Sequence, residues 1–345
     1  MVFVSIGLRM KVEVEALNNV EPLGAYTRHR TIPLIKKIQR DEGIRYRIVT
    51  APAVSGQSIN NGYSRTLVDL ASHLGLPLCD ECRNYPKKGG FSKRSNTKDS
   101  FDDRIRSCVV DDLTGFLATA PDVNARKTSP VMFSNMIPDI EYAKAALDSQ
   151  FHVKYDFETQ KHQPFNIEVG SAIYMLSIAV NVDDIGRLFD GKYVNDVDKR
   201  IELAFKGLIA LFEGLNFGAK KARYLPLYEV LGGVAAVSHP IPFMVSKPKL
   251  YYNNKSYVED TVARAERFVN ALKFYSNDNN SSDKSIESIT VVYFDNEGVL
   301  KTDVSSETVE VRRADSFTEL VGEVLKAVKN LRGPSKSEQT KMQSK

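Results

Sequence analysis

Cysteine is scarce in this chain of 345 residues: there are only three, and an odd number this small does not make a disulfide framework. A reducing compartment is therefore expected. Long apolar runs are also missing. The longest, residues 172–180 and 230–237, are far shorter than the ~20 residues of a membrane-spanning helix, and no basic and apolar leader opens the chain. These absences predict a cytoplasmic protein with no membrane partner.

Net charge is small, at +4, but positive charge is concentrated in two islands. Residues 28–47 hold seven basic and two acidic side chains, and residues 83–106 hold eight basic and three acidic ones. Each island carries +5, so the remainder of the chain is net acidic. Such polarity is typical of proteins that bind a phosphate backbone. Solvated loops rich in lysine and arginine are the alternative interpretation.

Hydrophobic periodicity predicts an α+β fold. Residues 4–16 alternate as a half-buried strand, with Ser5, Arg9 and Glu15 on the polar face. A helix follows at 59–74, capped by Ser55 and ended by Gly75. The further predicted elements are strands near 44–49, 150–157, 165–180 (with a bulge at 170–171) and 228–237, helices from 196 and at 258–274 and 317–331, and a hairpin around 295–298.

The order strand, helix, two strands, helix, strand predicts a ferredoxin-like (βαββαβ) core, the architecture of RNA-recognition (RRM) modules. We expect residues 1–240 to form this core, with an insertion at about 78–145 that includes an irregular or mobile segment over 78–106. Residues 241–332 are expected to add helices and a hairpin, and residues 333–345 to form a flexible basic tail.

Two local motifs predict contacts with phosphate. Residues 216–224 hold three cations, Gly218 and two aromatic side chains without an acid, which suits phosphate contact and base stacking. A glycine-capped helix end explains the same pattern. Residues 55–58, at the start of a helix, place exposed amides beside hydroxyl and amide side chains, an arrangement that binds anions. Simple helix capping is the alternative.

Metal and acid–base chemistry have weaker support. Cys79 and Cys82 have the spacing of half a zinc site, which His73 and Cys108 could complete, but no second close pair exists, so free thiols or a local disulfide are favoured. His29 and His152 invite an acid–base mechanism for RNA cleavage, although no spacing ties them together. No phosphate-cradling loop, nucleophile elbow or paired carboxylate motif is present, so no catalytic residue, metal or other cofactor is expected.

Several blocks of sequence, taken in order, resemble one known family. They are residues 18–21, 27–33, 52–56, 150–154, 165–169, 216–218 and 223–226, which together span most of residues 1–240. The set closely resembles the CRISPR-associated DevR-type autoregulator family of archaea. Its members are the backbone subunits, the Cas-seven group, of the type I-A Cascade complex.

The resemblance implies a non-catalytic protein with a modified RRM fold and inserted finger-like and thumb-like elements. Copies would stack head to tail along CRISPR RNA (crRNA), together with other Cascade subunits, and present the spacer for pairing with invading DNA. The crRNA contacts implied by the resemblance and by the local motifs are Asn18, Arg28, His29, Arg30, Ser55, Gly56, Gln57, Ser58, His152, Lys154, Lys220, Lys221 and Arg223.

Two alternative functions remain open at this point. One is a metal-independent CRISPR endoribonuclease that uses His29 or His152. The other is a regulatory DNA-binding protein, as the older name of the family suggests.

Overall fold

The strand β1 (Phe3–Glu15) lies at the centre of a mixed sheet in the computed structural model, which describes residues 1–41, 43–85, 94, 98–120, 123–276 and 288–333. It pairs antiparallel with β11 (Lys161–Asn181) on one side and β12 (Leu227–His239) on the other. Beyond β11 lies the antiparallel β10 (Ala146–Asp156). Beyond β12 lie β15 (Ser288–Asp295), antiparallel to β12, and β16 (Glu310–Arg313), parallel to β15.

Shorter strands complete the fold around this sheet. Along β11 lie β3 (Tyr26–His29), β8 (Val131–Phe133) and β9 (Ile137–Pro138), and β2 (Asn19–Leu23) pairs with β3. Separate two-stranded pairs are β4 (Thr31–Arg40) with β5 (Gly43–Pro52), β6 (Phe116–Ala120) with β7 (Val123–Lys127), and β13 (Tyr251–Tyr252) with β14 (Lys255–Ser256).

The helices cover both faces of the sheet. On one face α1 (Gly56–Leu74), α5 (Val197–Glu213) and α7 (Phe317–Arg332) bury the even-numbered apolar side chains of β1 in the main core. On the other face α6 (Tyr257–Ser276) forms a second core with β12 and β15. The insertion contributes α2 (Asp80–Arg83), α3 (Phe101–Ser107) and α4 (Val109–Thr114). Among the described helices, none is long and apolar enough to cross a membrane.

The second face of β1 is also covered, so the expectation that this strand is half-buried is wrong. Ser5 and Arg9, predicted on a solvated face, are fully buried or nearly so. Ser5 Oγ donates to the Phe243 carbonyl at 2.9 Å, and Arg9 Nη1 donates to the Pro248 carbonyl at 2.9 Å. The segment that precedes α6 therefore seals this face, and buried hydrogen-bond partners make its polar side chains tolerable there.

A bulge near residue 171 also changes the register of β1. Val12 pairs with Ala172 and Glu15 with Gly170, so two residues of β1 stand opposite Ser171. Val14 takes a positive φ of 55° and is exposed, while Glu15 turns into the interior. The bulge was predicted in this place, but its effect on Glu15 was not.

Most predicted elements are confirmed, and one is wrong. α1 begins after the Ser55 cap and ends at Gly75, and β10, β11, β12, α5, α6 and α7 lie where periodicity predicted them. The strand predicted near 44–49 is β5, and it forms a long hairpin with β4, which was not predicted. The expected hairpin near 295–298 does not form, because β16 returns parallel to β15.

Two predicted features lie mostly outside the described residues. They are the centre of the second basic island (86–93 and 95–97) and the tail 333–345, of which only Gly333 is described. Within the described part of residues 241–332, β15 extends the central sheet and α7 packs into the main core.

Candidate nucleic-acid interface

Four separate parts of the chain meet in a surface cleft of about 410 Å³ beside the first turns of α1, which we call the α1 cleft. Five predicted contact residues lie together there: Asn18, Arg30, Ser55, Gln57 and Ser58. The other lining residues are Leu17, Asn19, Asn61, Arg65, Gly218 and Ala219. Motifs that are far apart in the sequence therefore form one surface.

Backbone hydrogen bonds fix these segments against one another. The Arg30 amide donates to the Asn18 carbonyl at 3.0 Å, and the Ala219 amide donates to the Leu17 carbonyl at 2.9 Å. The side chain of Asn18, only 4% exposed, accepts from the Ser55 amide through Oδ1 at 2.8 Å. Asn18 thus aligns the start of α1 with the end of β1, so its side chain positions the cleft.

Close backbone approach requires glycine at two positions. Gly218 has a φ of 83°, and a Cβ there would lie 2.5 Å from Leu17 Cδ2. A Cβ on Gly62 would lie 2.5 Å from the Asn216 carbonyl oxygen. Larger side chains would push the 216–224 loop away from α1 and open the cleft.

The start of α1 presents positive potential to the cleft. Ser55 Oγ accepts from the Ser58 amide at 3.2 Å, and the first turn of this 19-residue helix contains no acidic side chain. The helix dipole therefore favours an anion here. Gly56 has a packing role instead, because its amide already donates to Asn135 Oδ1 at 2.9 Å and the residue is buried.

Cations gather on the same side without acidic partners. Burial and the neighbouring Arg65 lower the pKa of Lys221, and burial and Arg223 lower the pKa of Lys220. The Nε of Arg65 is buried, and no described residue accepts a hydrogen bond from it. Within the described side chains, no carboxylate forms an ion pair with these four residues or with Arg30. Desolvated and mutually repelling cations of this kind favour an external anion.

His152 reaches this region through an aromatic contact. Tyr224, which follows the cationic loop, shares a short hydrogen bond between its hydroxyl and His152 Nε2. The imidazole also stacks on Phe165, with ring centroids 5.2 Å apart and planes at 21°. Lys154 lies farther out on β10, exposed and opposite Gln163, and no described contact links it to the α1 cleft.

The other histidine is structural. His29 is 3% exposed; its Nε2 lies 2.7 Å from Glu15 Oε1 and its Nδ1 lies 2.8 Å from the Arg30 carbonyl oxygen. Burial lowers the pKa of His29, but the Glu15 carboxylate and the Arg30 carbonyl outweigh that effect and raise it above 6.5. Both ring nitrogens therefore face the interior, an arrangement that does not favour the predicted RNA contact or an acid–base role for this side chain.

Two exposed hairpins stand near the cleft. One face of β4–β5 is basic: Lys36 pairs with Arg47, and Arg40 and Arg45 lie on the same face. The other face exposes apolar and aromatic side chains, namely Ile44, Tyr46 and Ile48. We call this the basic hairpin. The outer part of β10–β11, here the aromatic hairpin, exposes Phe151, Val153, Tyr155 and Phe157. Arg28 is also exposed, on β3, which leads into the basic hairpin.

Comparison with known proteins identifies the family. The family model described as "CRISPR-associated negative auto-regulator DevR/Csa2" matches residues 6–262. The chain belongs to the DevR/Csa2 family. "CRISPR-associated protein Cas7/Csa2 1" of Saccharolobus solfataricus is 32% identical over 292 residues, covering 78% of this chain and 89% of that protein. From the same organism, "CRISPR-associated aCascade subunit Cas7/Csa2 2" is 29% identical over 286 residues, covering 76% and 86%.

Solved structures support the same type of fold. A chain of a "CRISPR RNA-guided surveillance complex" has a TM-score of 0.51 at 14% identity and covers 95% of this chain and 100% of its own. A chain of a complex titled "CRISPR RNA-guided surveillance complex, pre-nicking" has a TM-score of 0.51 at 13% identity, with 94% and 99% covered. All residues of the α1 cleft and both hairpins lie inside the region that the DevR/Csa2 model matches.

Sequence reasoning missed Arg65 and Asn61, which complete the cleft in this DevR/Csa2 chain. Ser58, Asn61 and Arg65 are spaced by three and four residues, so they share the polar face of α1. That spacing was available as a signal. What it cannot show is that this face turns toward the 216–224 loop.

Proposed function

We propose that this protein is the crRNA-binding backbone subunit of a type I-A CRISPR interference complex. The α1 cleft carries the proposal, because it joins a helix start without acids, hydroxyl and amide side chains, and cations that have no described acidic partner. The name of one relative, an aCascade subunit, supports the same assignment.

The chemistry of the cleft suits a sugar-phosphate chain. Arg65 in the cleft would neutralise a phosphate, and so would Lys220, Lys221 and Arg223 in the adjoining 216–224 loop. Ser58, Gln57 and Asn61 can exchange hydrogen bonds with phosphate oxygens and 2′-hydroxyls. Contacts of this kind leave base edges free. The guide would then supply the sequence specificity by pairing with target DNA.

We further propose that the core is a modified RRM. Along the chain β1, α1, β10, β11, α5 and β12 follow the βαββαβ order, and their strands lie side by side as β12, β1, β11 and β10 with every neighbour antiparallel. The α1 cleft lies at one edge of the layer that α1 and α5 make.

The two hairpins provide surfaces for neighbouring copies. Exposed apolar groups in a contiguous set indicate a protein contact, and the aromatic hairpin presents Phe151 and Phe157 at 67% and 86% exposure. The basic hairpin offers both cations and exposed isoleucines. A hairpin that inserts into a different surface of the next copy makes a heterologous contact, which generates an open helical array along the RNA.

The positions of the two histidines support a non-catalytic role. His29 is enclosed by Glu15 and the Arg30 carbonyl, and His152 is engaged by Tyr224 and Phe165, so the pair shares no described contact through which a proton could be passed. Binding is therefore favoured over cleavage.

Purification with and without co-expressed crRNA tests the proposal. We expect a crRNA-dependent oligomer whose RNA is protected from nuclease at a regular interval, and no cleavage of labelled repeat RNA in EDTA. Discrete cleavage products would instead support the endoribonuclease. Tighter binding to duplex DNA than to single-stranded RNA at equal salt would support the regulator.

A further inference from the structure

Three buried thiols converge at the base of the insertion, away from the residues of the α1 cleft. Cys79 immediately precedes α2, Cys82 lies within α2, and Cys108 joins α3 to α4. The Sγ atoms of Cys82 and Cys108 are 3.7 Å apart, and the three Sγ atoms all lie within 4.8 Å of one another. All three cysteines are unpaired, and each is less than a tenth exposed.

The spacing of the sulfurs fits a metal ion better than a disulfide. Sulfurs at about 2.3 Å from zinc, in a tetrahedron, lie about 3.8 Å from one another. A disulfide requires about 2.05 Å between two sulfurs, and it would leave the third cysteine of the cluster as a free thiol. Three sulfurs at metal-ligand spacing from two separate helical segments therefore constitute a ligand set.

Electrostatics also favour a cation among the thiols. The three Sγ atoms lie within 4.8 Å of one another, so three thiolates at this distance would repel each other. A bound divalent ion removes that obstacle, because its charge stabilises all three deprotonated ligands.

We propose that Cys79, Cys82 and Cys108 bind one Zn²⁺ ion. Cys79 also lines a surface cleft of about 630 Å³ together with Asp80, Glu81, Arg94 and Asp103, from which a water molecule would supply the fourth ligand. The guanidinium of Arg94, which lies 2.6 Å from Asp99 and 3.5 Å from Asp111, also contacts Cys79 at the wall of this cleft.

The ion would have a structural consequence. Cys82 and Cys108 are buried in the main hydrophobic core. A zinc ion bound to both would link α2 to the start of α4 and would fix the two ends of residues 82–108 at the core. Sequence spacing identified Cys79 and Cys82 as half of such a site. His73, the other residue considered there, is exposed on α1 with Nδ1 2.7 Å from the Asp69 carbonyl oxygen, outside the cluster.

Metal titration of the full-length chain tests this site independently of RNA binding. The reduced protein is stripped with EDTA, titrated with Co²⁺ and then with Zn²⁺. We expect one equivalent of Co²⁺ to give thiolate-to-cobalt charge-transfer absorption and intense tetrahedral d–d bands, both lost when Zn²⁺ displaces it. Absence of these bands, with no zinc retained after gel filtration, would overturn the proposal.

Variants and thiol counting sharpen the result. Cys108→Ser and Cys82→Ala should lose the stoichiometric zinc, and His73→Ala, the matched control, should keep it. Zinc should raise the melting temperature of the unsubstituted chain and leave that of Cys108→Ser unchanged. If two of the three thiols of the protein purified without reductant resist alkylation until reduced, the cluster is a disulfide and the zinc site is wrong.

Discussion

The interior and the α1 cleft both hold cations, but among the described residues only the interior supplies them with carboxylates. Arg9, 2% exposed, lies 2.7 Å from Asp139 and 2.7 Å from Glu297, and Arg200, 1% exposed, lies 2.9 Å from Asp112. Arg65 lines the cleft next to the partly buried Lys221, whose Nζ donates to the Leu215 carbonyl, and neither cation has a described carboxylate partner. Charge pairing therefore separates the cations that hold the fold from those available to a ligand.

The cost of removing a charge from water explains why the presence or absence of a carboxylate partner matters. A buried cation is tolerated when its partner is also in the protein, and removing one partner leaves the other charge uncompensated. Cations that are partly desolvated and repel each other destabilise the free protein, and a bound anion removes that repulsion. The comparison predicts that substitutions inside affect folding, whereas substitutions in the cleft affect binding.

The largest effect is expected at Arg9. Arg9→Ala removes the partner of the fully buried Asp139 and should lower the free energy of unfolding by about 4 kcal/mol in urea denaturation. Lys11→Ala, on the same strand, is the control, because its ion pair with Glu13 is solvent-exposed and should contribute little to the free energy of unfolding. Equal losses for both variants would show that burial does not distinguish the two pairs.

The contribution of the Glu15–His29 pair to the free energy of unfolding should decrease as pH rises. Because the pKa of His29 is raised in the fold, the pair contributes fully below pH 6.5 and its contribution is lost as pH rises through the raised value. His29→Gln should cost about 3 kcal/mol in acid, and the gap to the unsubstituted protein should shrink as pH rises. Urea midpoints measured across pH check this. A gap that widens with pH contradicts the ion pair.

Arg65 tests the cleft itself. Arg65→Gln should weaken binding of single-stranded RNA about fivefold at 0.1 M salt, equally for unrelated sequences, because one phosphate contact is lost. Fluorescence anisotropy measures the change, with thermal melting to confirm the fold. Lys192→Gln serves as the control, since Lys192 is exposed and pairs with Asp190. If both variants bind alike, Arg65 does not contact RNA.

The smallest expected effect concerns the link between the aromatic hairpin and the cationic loop. Tyr224→Phe removes the hydroxyl that bonds His152 Nε2 and should weaken RNA binding about threefold with no loss of stability. Tyr142→Phe, which removes an exposed hydroxyl that donates to the Tyr251 carbonyl, should leave affinity unchanged. A change in melting temperature without a change in affinity would make the Tyr224 contact purely structural.

Local sequence signals predicted the helices and long strands well because their causes are local. Ser55 caps α1 and Gly75 ends it, and each residue acts on the backbone next to it. The strand β4 escaped prediction because none of its side chains is fully buried, so its two faces differ too little in polarity for the sequence to show a buried face. Glu15 was misplaced because a bulge shifts the alternation by one residue, and strict parity cannot show where a strand slips.

The cleft was predicted only in pieces. The resemblance implied Asn18 and Arg30, and a local motif indicated the 55–58 segment, but their convergence depends on long-range backbone bonds such as Ala219 to Leu17. His29 was a candidate through its residue type and the resemblance, whereas its surroundings depend on Glu15, which the bulge turns inward. The residue types thus predicted a phosphate-binding site, and the tertiary contacts determine which side chains can reach a ligand.

The salt dependence of RNA binding tests the central claim most directly. A variant with Arg65, Lys220, Lys221 and Arg223 all replaced by glutamine is compared with the unsubstituted protein on single-stranded RNA. Each lost phosphate contact should reduce the slope of log affinity against log salt by about 0.7, so the slope should become shallower by about 2.8. An unchanged slope in a folded variant would show that the α1 cleft does not hold the RNA backbone.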